Sequence, residues 1–337
     1  MKMNRLELIK QKIKNLKKVS GMQLRTMVIP DKEWIVDSLV PNNCVTFIAG
    51  KAGCSKTFLG LEIVIKCLQG EPVLGIHSTR KLSKILYCDE ENPLKEIQNR
   101  WIPMTNDMKN KKLLENVEFY SYNNLKLSSK DFPVIDGLAE LEKPDLIIID
   151  SAVGFYDGKE NDAGDASKFT DFLKLLMTKH NCTIIVLHHV TKGSEANMDS
   201  LRGSGQFAAF ARSILHITKY GHGRTAKYTM KQVKSSYREE CEILTYQIMN
   251  TSDDVIELKI CPKKKGDYIF ETIAEDIRNW LVNNKIKTFK AGDVKTEFKD
   301  KNYKPASITN AINLLKSEGI VTGEKVYSCT GFCEDDE

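Results

Sequence analysis

The sequence has no long apolar segment. No run approaches the ~18–20 apolar residues that a membrane-spanning helix needs, and we therefore expect no membrane span. The first 18 residues have no continuous apolar core and no small-residue cleavage site, which predicts the absence of a secretory signal. The nine cysteines are odd in number and irregular in spacing, unlike a disulfide framework. These absences predict a cytoplasmic protein with reduced thiols.

Net charge is also small, although it is unevenly spread. The formal charge is +5 over 337 residues. Residues 1–20 carry seven Lys and Arg against Glu7, further lysines cluster at 263–265 and 285–304, and residues 334–337 are acidic. Basic segments near both ends suggest a polyanionic partner. Solvated helix faces explain any one cluster equally well.

The central part of the chain alternates between strand and helix patterns. Short apolar runs separate helical stripes from about residue 44 to 218, and runs such as 145–150 and 183–188 are apolar on both faces. This pattern predicts an α/β fold with a mainly parallel sheet and helices on both faces. Residues 228–233 and 243–249 then predict an antiparallel pair.

The two ends of the chain have a different character. Residues 4–19 place apolar residues three and four apart, which predicts an amphipathic helix with a basic opposite face that ends at Gly21. Near the C-terminus, helical stripes at 271–283, 291–298 and 305–318 precede a small hairpin, which suggests a winged-helix-like module. The predicted regions are an N-terminal helix and linker over 1–30, an α/β domain over 31–262, and the winged-helix-like module with its acidic tail over 263–337.

Residues 50–57 form the strongest motif. They follow a predicted strand and open a predicted helix, and their glycines permit a loop whose backbone N–H groups converge on a phosphate chain. Lys56 is placed to reach the β- and γ-phosphates of ATP, and the Thr57 hydroxyl to bind Mg²⁺. The pattern has glycine where this sequence has Ser55, whose Cβ can crowd the phosphate. The alternative is an ordinary strand-to-helix turn. The predicted nucleotide-binding residues are Gly50, Lys51, Ala52, Gly53, Cys54, Ser55, Lys56, Thr57 and Phe58.

Carboxylates follow two other predicted strands. Asp150 ends a buried strand, at the sheet edge where the phosphate loop is expected, and can hold the Mg²⁺ shell through water. Asp89, Glu90 and Glu91 follow an earlier strand, and any of them can orient the water that attacks the γ-phosphate. The alternative for these three is an acidic first turn of a helix.

Two histidines, His188 and His189, end a further buried strand. A polar side chain there can sense the γ-phosphate and move the loop that follows, residues 190–201. A metal site needs a third ligand, and the neighbouring sequence provides none. An isolated histidine is usually structural, but the position beside Asp150 favours a functional one.

These motifs together resemble those of the RecA-like hexameric ATPases of the AAA_25 type, specifically the RepA-like replicative helicases of plasmids and mobile elements. The resemblance covers about residues 33–250 and uses the segments 33–41, 50–57, 87–93, 160–164 and 201–205. It implies that Glu91 is the catalytic carboxylate and that Asp150 is the Walker B aspartate. His188 and His189 match the sensor pair, and the catalytic set becomes Lys56, Glu91 and His188.

The same resemblance implies an ATP site between subunits. Lys234 fits the lysine that a neighbour donates, but Ser236 stands where an arginine finger is expected, with Arg238 two residues later as a substitute. Such a finger is worth roughly 10³–10⁵ in rate, so its absence and Ser55 both put fast hydrolysis in doubt. The residues expected to couple nucleotide to DNA are His189, Lys192 and Arg202.

Three functions compete on these grounds. The leading one is a hexameric helicase or translocase on single-stranded DNA, in the replication of a plasmid, virus or other mobile element. The second is a RecA-like regulatory ATPase without unwinding activity, such as a loader, partition or recombination-mediator protein. The third is a DNA-binding protein whose degenerate phosphate loop only holds nucleotide. The C-terminal module is expected to contact either duplex DNA or protein.

Overall fold

A computed structural model describes residue 13 and residues 18–128, 130–156, 158, 163–190, 205–221, 223–252, 254–261, 265–301, 303–317 and 320–329. The chain divides into two units, Met1–Glu33 and Trp34–Glu337. No described helix is both long and apolar enough to cross a membrane. Among the described cysteines, all are free thiols.

Strands and helices alternate along much of the second unit. The strands are β1 Trp34–Val36, β2 Val40–Pro41, β3 Val45–Gly50, β4 Ile85–Asp89, β5 Val117–Ser121, β6 Leu146–Asp150, β7 Thr183–His189, β8 Ser213–Tyr220, β9 Lys227–Ser235, β10 Leu244–Ser252, β11 Val255–Ile260, β12 Thr288–Phe289, β13 Val321–Thr322 and β14 Tyr327–Cys329. The α-helices are α1 Gly21–Thr26, α2 Lys56–Gln69, α3 Leu94–Thr105, α4 Phe132–Glu142, α5 Ala152–Phe155, α6 Ala163–His180, α7 Gln206–Phe210, α8 Lys265–Asn283, α9 Ala291–Glu297 and α10 Pro305–Ser317. Short 3-10 helices cover Lys111–Asn116, Gly223–Thr225 and Lys299–Lys301.

The described residues form one nine-stranded sheet in the order β11-β10-β9-β8-β3-β7-β6-β4-β5. The strands from β8 to β5 in this order pair in parallel, and β9, β10 and β11 extend the sheet as antiparallel neighbours. The chain leaves β3 toward one side and returns on the other, so β3 lies at a topological switch point, where α/β sheets bind ligands.

Apolar side chains cover both faces of this sheet. On one face, α2 and α3 pack with Ile48, Tyr87 and Ile185. On the other, α4, α5, α6 and α7 pack with Phe47 and Val186. The prediction of an α/β fold with a mainly parallel sheet and helices on both faces is therefore confirmed.

Helix α2 is buried on almost every side. Residues 59–65 are all buried without interruption, which a helix with one exposed face does not permit. The cover comes from the antiparallel strands, because Tyr246 of β10 and Leu258 of β11 belong to the same core cluster as α2. The Asn106 side chain, just after α3, donates to the Asp254 carbonyl at 2.7 Å and joins the end of α3 to β11.

The C-terminal segment has an apolar core of its own. Helices α8, α9 and α10 surround it, and a three-stranded antiparallel sheet in the order β12-β14-β13 lies beside them. Ile277, Ile312 and Leu315 are fully buried in this core.

The N-terminal unit contains the short helix α1. Ser20 caps it through a reciprocal pair of bonds with Gln23. Gly21 was expected to end a helix and instead begins one, because this cap precedes it. Other predictions fall outside the described residues: most of helix 4–19, most of segments 160–164 and 201–205, and the DNA-coupling residues Lys192 and Arg202.

Candidate active site

The carboxyl ends of the central parallel strands bring the predicted motifs to one edge of the sheet. Gly50 lies opposite His189 across β3 and β7, and Asp89 lies opposite Asp150 across β4 and β6. A cleft of about 180 Å³ opens at this edge. Its lining consists of residues 53–58 with Glu91, Asn92, Arg100, Asp150, His189 and Tyr228.

The loop between β3 and α2 turns sharply enough to point the helix at the cleft. Gly53 and Ser55 adopt the left-handed region, with φ of 71° and 68°. A Cβ at Gly50 would overlap the Sγ of Cys54, so the close approach there requires glycine. The N-terminus of α2 therefore faces the cleft, and its backbone N–H groups and dipole favour a bound anion.

Lys56 places its ammonium group inside this turn. Its Nζ donates to the carbonyls of Gly50 and Lys51, both at 3.1 Å, and lies 3.4 Å from His189 Nδ1. The residue is only 6% exposed. A buried ammonium at a helix N-terminus is a strong site for phosphate oxygens.

Thr57 and Asp150 meet at the base of the cleft. The Thr57 hydroxyl donates to Asp150 Oδ2 at 2.9 Å, and the Tyr87 hydroxyl donates to the same oxygen at 2.8 Å. Burial of Asp150, together with the neighbouring charge of Asp89, raises the pKa of the Asp150 carboxyl. Hydroxyl and carboxylate oxygens are ligands that Mg²⁺ prefers, and a cation offsets the repulsion between two buried carboxylates. These residues fit a Mg²⁺ ion.

The three consecutive carboxylates at the end of β4 have different partners. Asp89 accepts hydrogen bonds from the backbone N–H groups of Glu91 at 2.8 Å and Asn92 at 2.6 Å. Glu90 accepts from three consecutive backbone N–H groups of residues 123–125, at 3.0–3.2 Å. Both carboxylates therefore fix backbone, and Glu91 is the one of the three that lines the cleft.

Glu91 pairs with His189 at the cleft wall. Glu91 Oε2 lies 3.2 Å from His189 Nε2. The hydrogen bond from His189 lowers the pKa of Glu91 to about 2, aided by the Ser151 hydroxyl and by the charges of His189 and Lys56, against the opposing effect of burial. His189 thus contacts both the loop lysine and the cleft carboxylate.

His188, the predicted catalytic histidine, lies on the other face of the sheet. It is 1% exposed, and its ring packs edge-on against Phe47 and Phe207 with centroids 6.0 and 5.3 Å apart. Adjacent strand residues point to opposite faces, so only one histidine of the pair can meet Lys56. The structure brings His189, rather than His188, to the phosphate loop.

The two residues predicted to act on a neighbour's site lie away from the cleft of their own chain. Lys234 Nζ donates to the Ala208 carbonyl at 2.7 Å. Arg238 donates to Asp37 at 2.8 Å, and its guanidinium lies 4.9 Å from the ring centroid of Trp34. Neither side chain is part of the cleft lining.

Three residues of the cleft were not predicted as site residues from the sequence: Asn92, Arg100 and Tyr228. Arg100 donates to Asn92 at 3.2 Å, and its guanidinium lies 6.0 Å from the Phe58 ring centroid. A cation on the helix directly after the acidic cluster was a usable signal for Arg100, since that helix begins at the same sheet edge. Tyr228 comes from β9, far along the chain, and no local pattern indicates it.

Comparison with solved structures finds chains of related fold. A KaiC-like protein from the hyperthermophilic archaeon Pyrococcus horikoshii OT3 is 12% identical, with a TM-score of 0.49 over 68% of this chain and 94% of its own. The RadB recombinase is 18% identical, with a TM-score of 0.45 over 63% and 89%. The flagellar accessory protein FlaH from Methanocaldococcus jannaschii is 16% identical, with a TM-score of 0.44 over 66% and 92%. At these values none of the three bears on what this chain does.

Sequence comparison identifies the family. No curated protein matches the chain. The family model described as AAA_25, AAA domain, matches residues 12–195, which is more than half of the chain and includes the phosphate loop, Glu91 and Asp150. The predicted resemblance to RecA-like P-loop ATPases is confirmed at this level, and the chain belongs to the AAA_25 family of AAA domains, a family of RecA-like P-loop ATPases.

Proposed function

We propose that this protein hydrolyses ATP with Mg²⁺ and uses the cycle to move along single-stranded DNA, as a cytoplasmic helicase or translocase of a plasmid, virus or other mobile element. The observation that carries the proposal is the contact of His189 with both Lys56 and Glu91. A side chain held by the phosphate lysine and the cleft carboxylate changes partners when either one engages nucleotide. His189 ends β7, directly before the loop of residues 190–201, which contains Lys192, another residue proposed to couple nucleotide to DNA.

Each cleft residue has a role in this proposal. The backbone of residues 50–57 and the ammonium of Lys56 bind the phosphates. Thr57 and Asp150 hold Mg²⁺, which when bound neutralises phosphate charge. Glu91 is ionised at neutral pH, and its lowered pKa keeps it ionised in more acidic solution. Its carboxylate accepts a hydrogen bond from water and orients it for attack. Arg100 adds a positive charge to the wall of the cleft.

The proposed assembly is a homo-oligomer, a hexamer on the family resemblance, with single-stranded DNA in a central channel. Lys234 and Arg238 would then act on the site of a neighbouring subunit. The C-terminal segment is proposed to be a winged-helix-like module over 263–337 that contacts duplex DNA or protein. The order of its helices and strands supports this.

One observation favours the alternative, a RecA-like regulatory ATPase without unwinding activity. Arg238, the substitute for the absent arginine finger, is paired with Asp37 and stacked on Trp34 within its own chain. An arginine held in this way is not presented to a neighbour, and hydrolysis without a finger is slow.

ATPase activity measured with and without single-stranded DNA, followed by strand displacement, separates these functions. A helicase gives DNA-stimulated hydrolysis and displaces a strand. A regulatory ATPase hydrolyses ATP without displacement, and hydrolysis absent under both conditions contradicts both proposals. Lys56→Ala is expected to abolish turnover and to weaken ATP binding roughly 10- to 100-fold, since one charge-assisted contact to phosphate is lost. Lys95→Ala, an exposed lysine on α3, is the matched control.

A further inference from the structure

Ser55 stands where the phosphate-loop pattern has glycine, and its hydroxyl has a defined partner outside the loop. Ser55 Oγ donates to the Cys54 carbonyl at 2.5 Å. The same oxygen lies 2.7 Å from the hydroxyl of Tyr246. A serine hydroxyl has one proton, so in the second contact Tyr246 donates and Ser55 accepts. The hydroxyl of Ser55 thus uses its one proton on the Cys54 carbonyl and accepts a hydrogen bond from strand β10.

Ser55 is also the residue directly before α2, where a serine side chain usually caps a helix. A capping serine has an extended backbone and accepts from the N–H group two or three residues later, here Thr57 or Phe58. In this protein the side chain makes no cap bond to α2, and its backbone is left-handed, with φ of 68° and ψ of 16°. The left-handed conformation is unfavourable for serine, so something must hold it.

We propose that Tyr246 is a positioning residue for the phosphate loop: its hydroxyl holds Ser55 in the left-handed conformation and keeps it from capping α2. The N–H groups of Thr57 and Phe58 then remain available to phosphate. Tyr246 suits this task because it is fully buried and stacks on Tyr228, with ring centroids 5.6 Å apart. Burial raises its pKa far above the ordinary value, so it stays a donor at any working pH. This inference rests on the proposed nucleotide binding.

Loss of the tyrosine hydroxyl would leave two conformers of Ser55 in competition. In the capping conformer the serine oxygen occupies the N–H groups that phosphate needs. Apparent affinity falls in proportion to the fraction of chains in that conformer. Glycine has no hydroxyl to cap α2, so in Ser55→Gly the N–H groups of Thr57 and Phe58 stay available to phosphate.

Calorimetric titration of the full-length protein with ADP and Mg²⁺ tests this. Tyr246→Phe is expected to weaken ADP binding about five- to tenfold, the effect of one net hydrogen bond on the balance of conformers. Ser55→Gly is expected to bind at least as tightly as wild type. The double variant Ser55→Gly/Tyr246→Phe is expected to recover wild-type affinity to within about twofold. Tyr156→Phe, which removes a hydroxyl from a buried tyrosine on the other face of the sheet, is the matched control.

A merely structural tyrosine predicts a different pattern. In that case Tyr246→Phe has a lower melting temperature than wild type but the same ADP affinity, and this result overturns the inference. ADP binding that stays weak in the double variant also overturns it. If Tyr246→Phe does not fold, Ser55→Gly alone tests the inference. A marked loss of ADP affinity in Ser55→Gly overturns the inference. A wild type that binds no ADP, or a Lys56→Ala variant that binds normally, defeats the proposed function and this inference with it.

Discussion

Glu90 and Glu91, the two carboxylates directly after β4, have different contacts, so the same substitution is expected to have different effects at each. Glu91→Gln removes the charge in the cleft and is expected to keep ATP binding while lowering turnover about 10²- to 10³-fold, since only water orientation is lost. Glu90→Gln removes a carboxylate that holds the backbone of residues 123–125. It is expected to lower thermal stability and to retain most turnover. Steady-state ATPase and nucleotide titration distinguish the two. An inactive Glu90→Gln beside a normal Glu91→Gln would place the catalytic position one residue earlier.

Glu62, buried in α2, makes stability depend on pH. Burial raises its pKa from 4.5 to about 7. The folded state therefore binds more protons than the unfolded state between these values, and the free energy of unfolding falls as pH rises through them. Glu62→Gln has no charge to bury, so its free energy of unfolding lacks this decrease at higher pH. It is expected to match wild type at pH 4.5 and to exceed it at pH 8 by at most about 3 kcal/mol.

Urea denaturation of both proteins from pH 4.5 to 8 measures this difference. Glu71→Gln is the control, because Glu71 is an exposed carboxylate two residues after the C-terminal end of the same helix. A stability difference between Glu62→Gln and wild type that does not change with pH would contradict the raised pKa.

At the residue scale, sequence patterns predicted the phosphate loop and Asp150 because each is a local motif at a strand end, and the structure brings both to the cleft. They left Asp89, Glu90 and Glu91 open, since the choice depends on amides of residues 123–125 that only the fold brings near. The family resemblance assigned catalysis to His188 and DNA coupling to His189. Strand alternation decides which one faces Lys56, and that requires the true register of β7.

At the scale of elements, the packing of the edge strand β11 on α2 depends on one buried residue, Leu258. Leu258 is buried in the α2 core cluster, whereas Lys259, the next residue, is exposed. Leu258→Ala is expected to lower the free energy of unfolding by about 2–4 kcal/mol, because a buried leucine leaves a cavity. Lys259→Ala is expected to change it by less than about 0.5 kcal/mol. Urea denaturation measures both free energies of unfolding. Equal decreases in the two variants would show that Leu258 is not the residue through which β11 covers α2.

Most central elements could be predicted because their apolar periodicity is strong. The antiparallel pair near 228–233 and 243–249 was predicted and forms β9 and β10. Strand β11 was missed because Glu257 and Lys259 interrupt its apolar residues, as suits a half-exposed edge. Helix α4 was missed because Gly137 lies in its interior, where glycine is unfavourable, and because Pro133 in its first turn resembles a turn signal in the sequence.

At the scale of the whole molecule, assembly is expected to depend on the N-terminus. Deletion of residues 1–20 is expected to shift an oligomer toward monomer, because an amphipathic helix this short needs a partner surface. Light scattering with ATP and single-stranded DNA checks this. An unchanged particle mass, or a wild type that is monomeric under these conditions, would contradict it.

The C-terminal module is expected to bind duplex DNA through phosphate contacts. It has its own core, so a 266–337 fragment is suitable for the test. Several lysines lie between 285 and 304, and α10 is the candidate recognition helix. Affinity is expected to fall steeply with salt as counterions are released. Binding that ignores salt would argue against phosphate contacts, and no binding at low salt would assign the module to protein contacts.

The enclosure of α2 also sets an order of events during synthesis. The helix is complete at Gln69, but its cover ends with β11 at Ile260, and a ribosome adds those residues in on the order of 10–40 seconds. Throughout that interval the part of α2 that packs against Tyr246 and Leu258 has no cover. We therefore expect nascent chains that already contain the phosphate loop to depend on chaperones and to lack nucleotide affinity until β10 and β11 emerge.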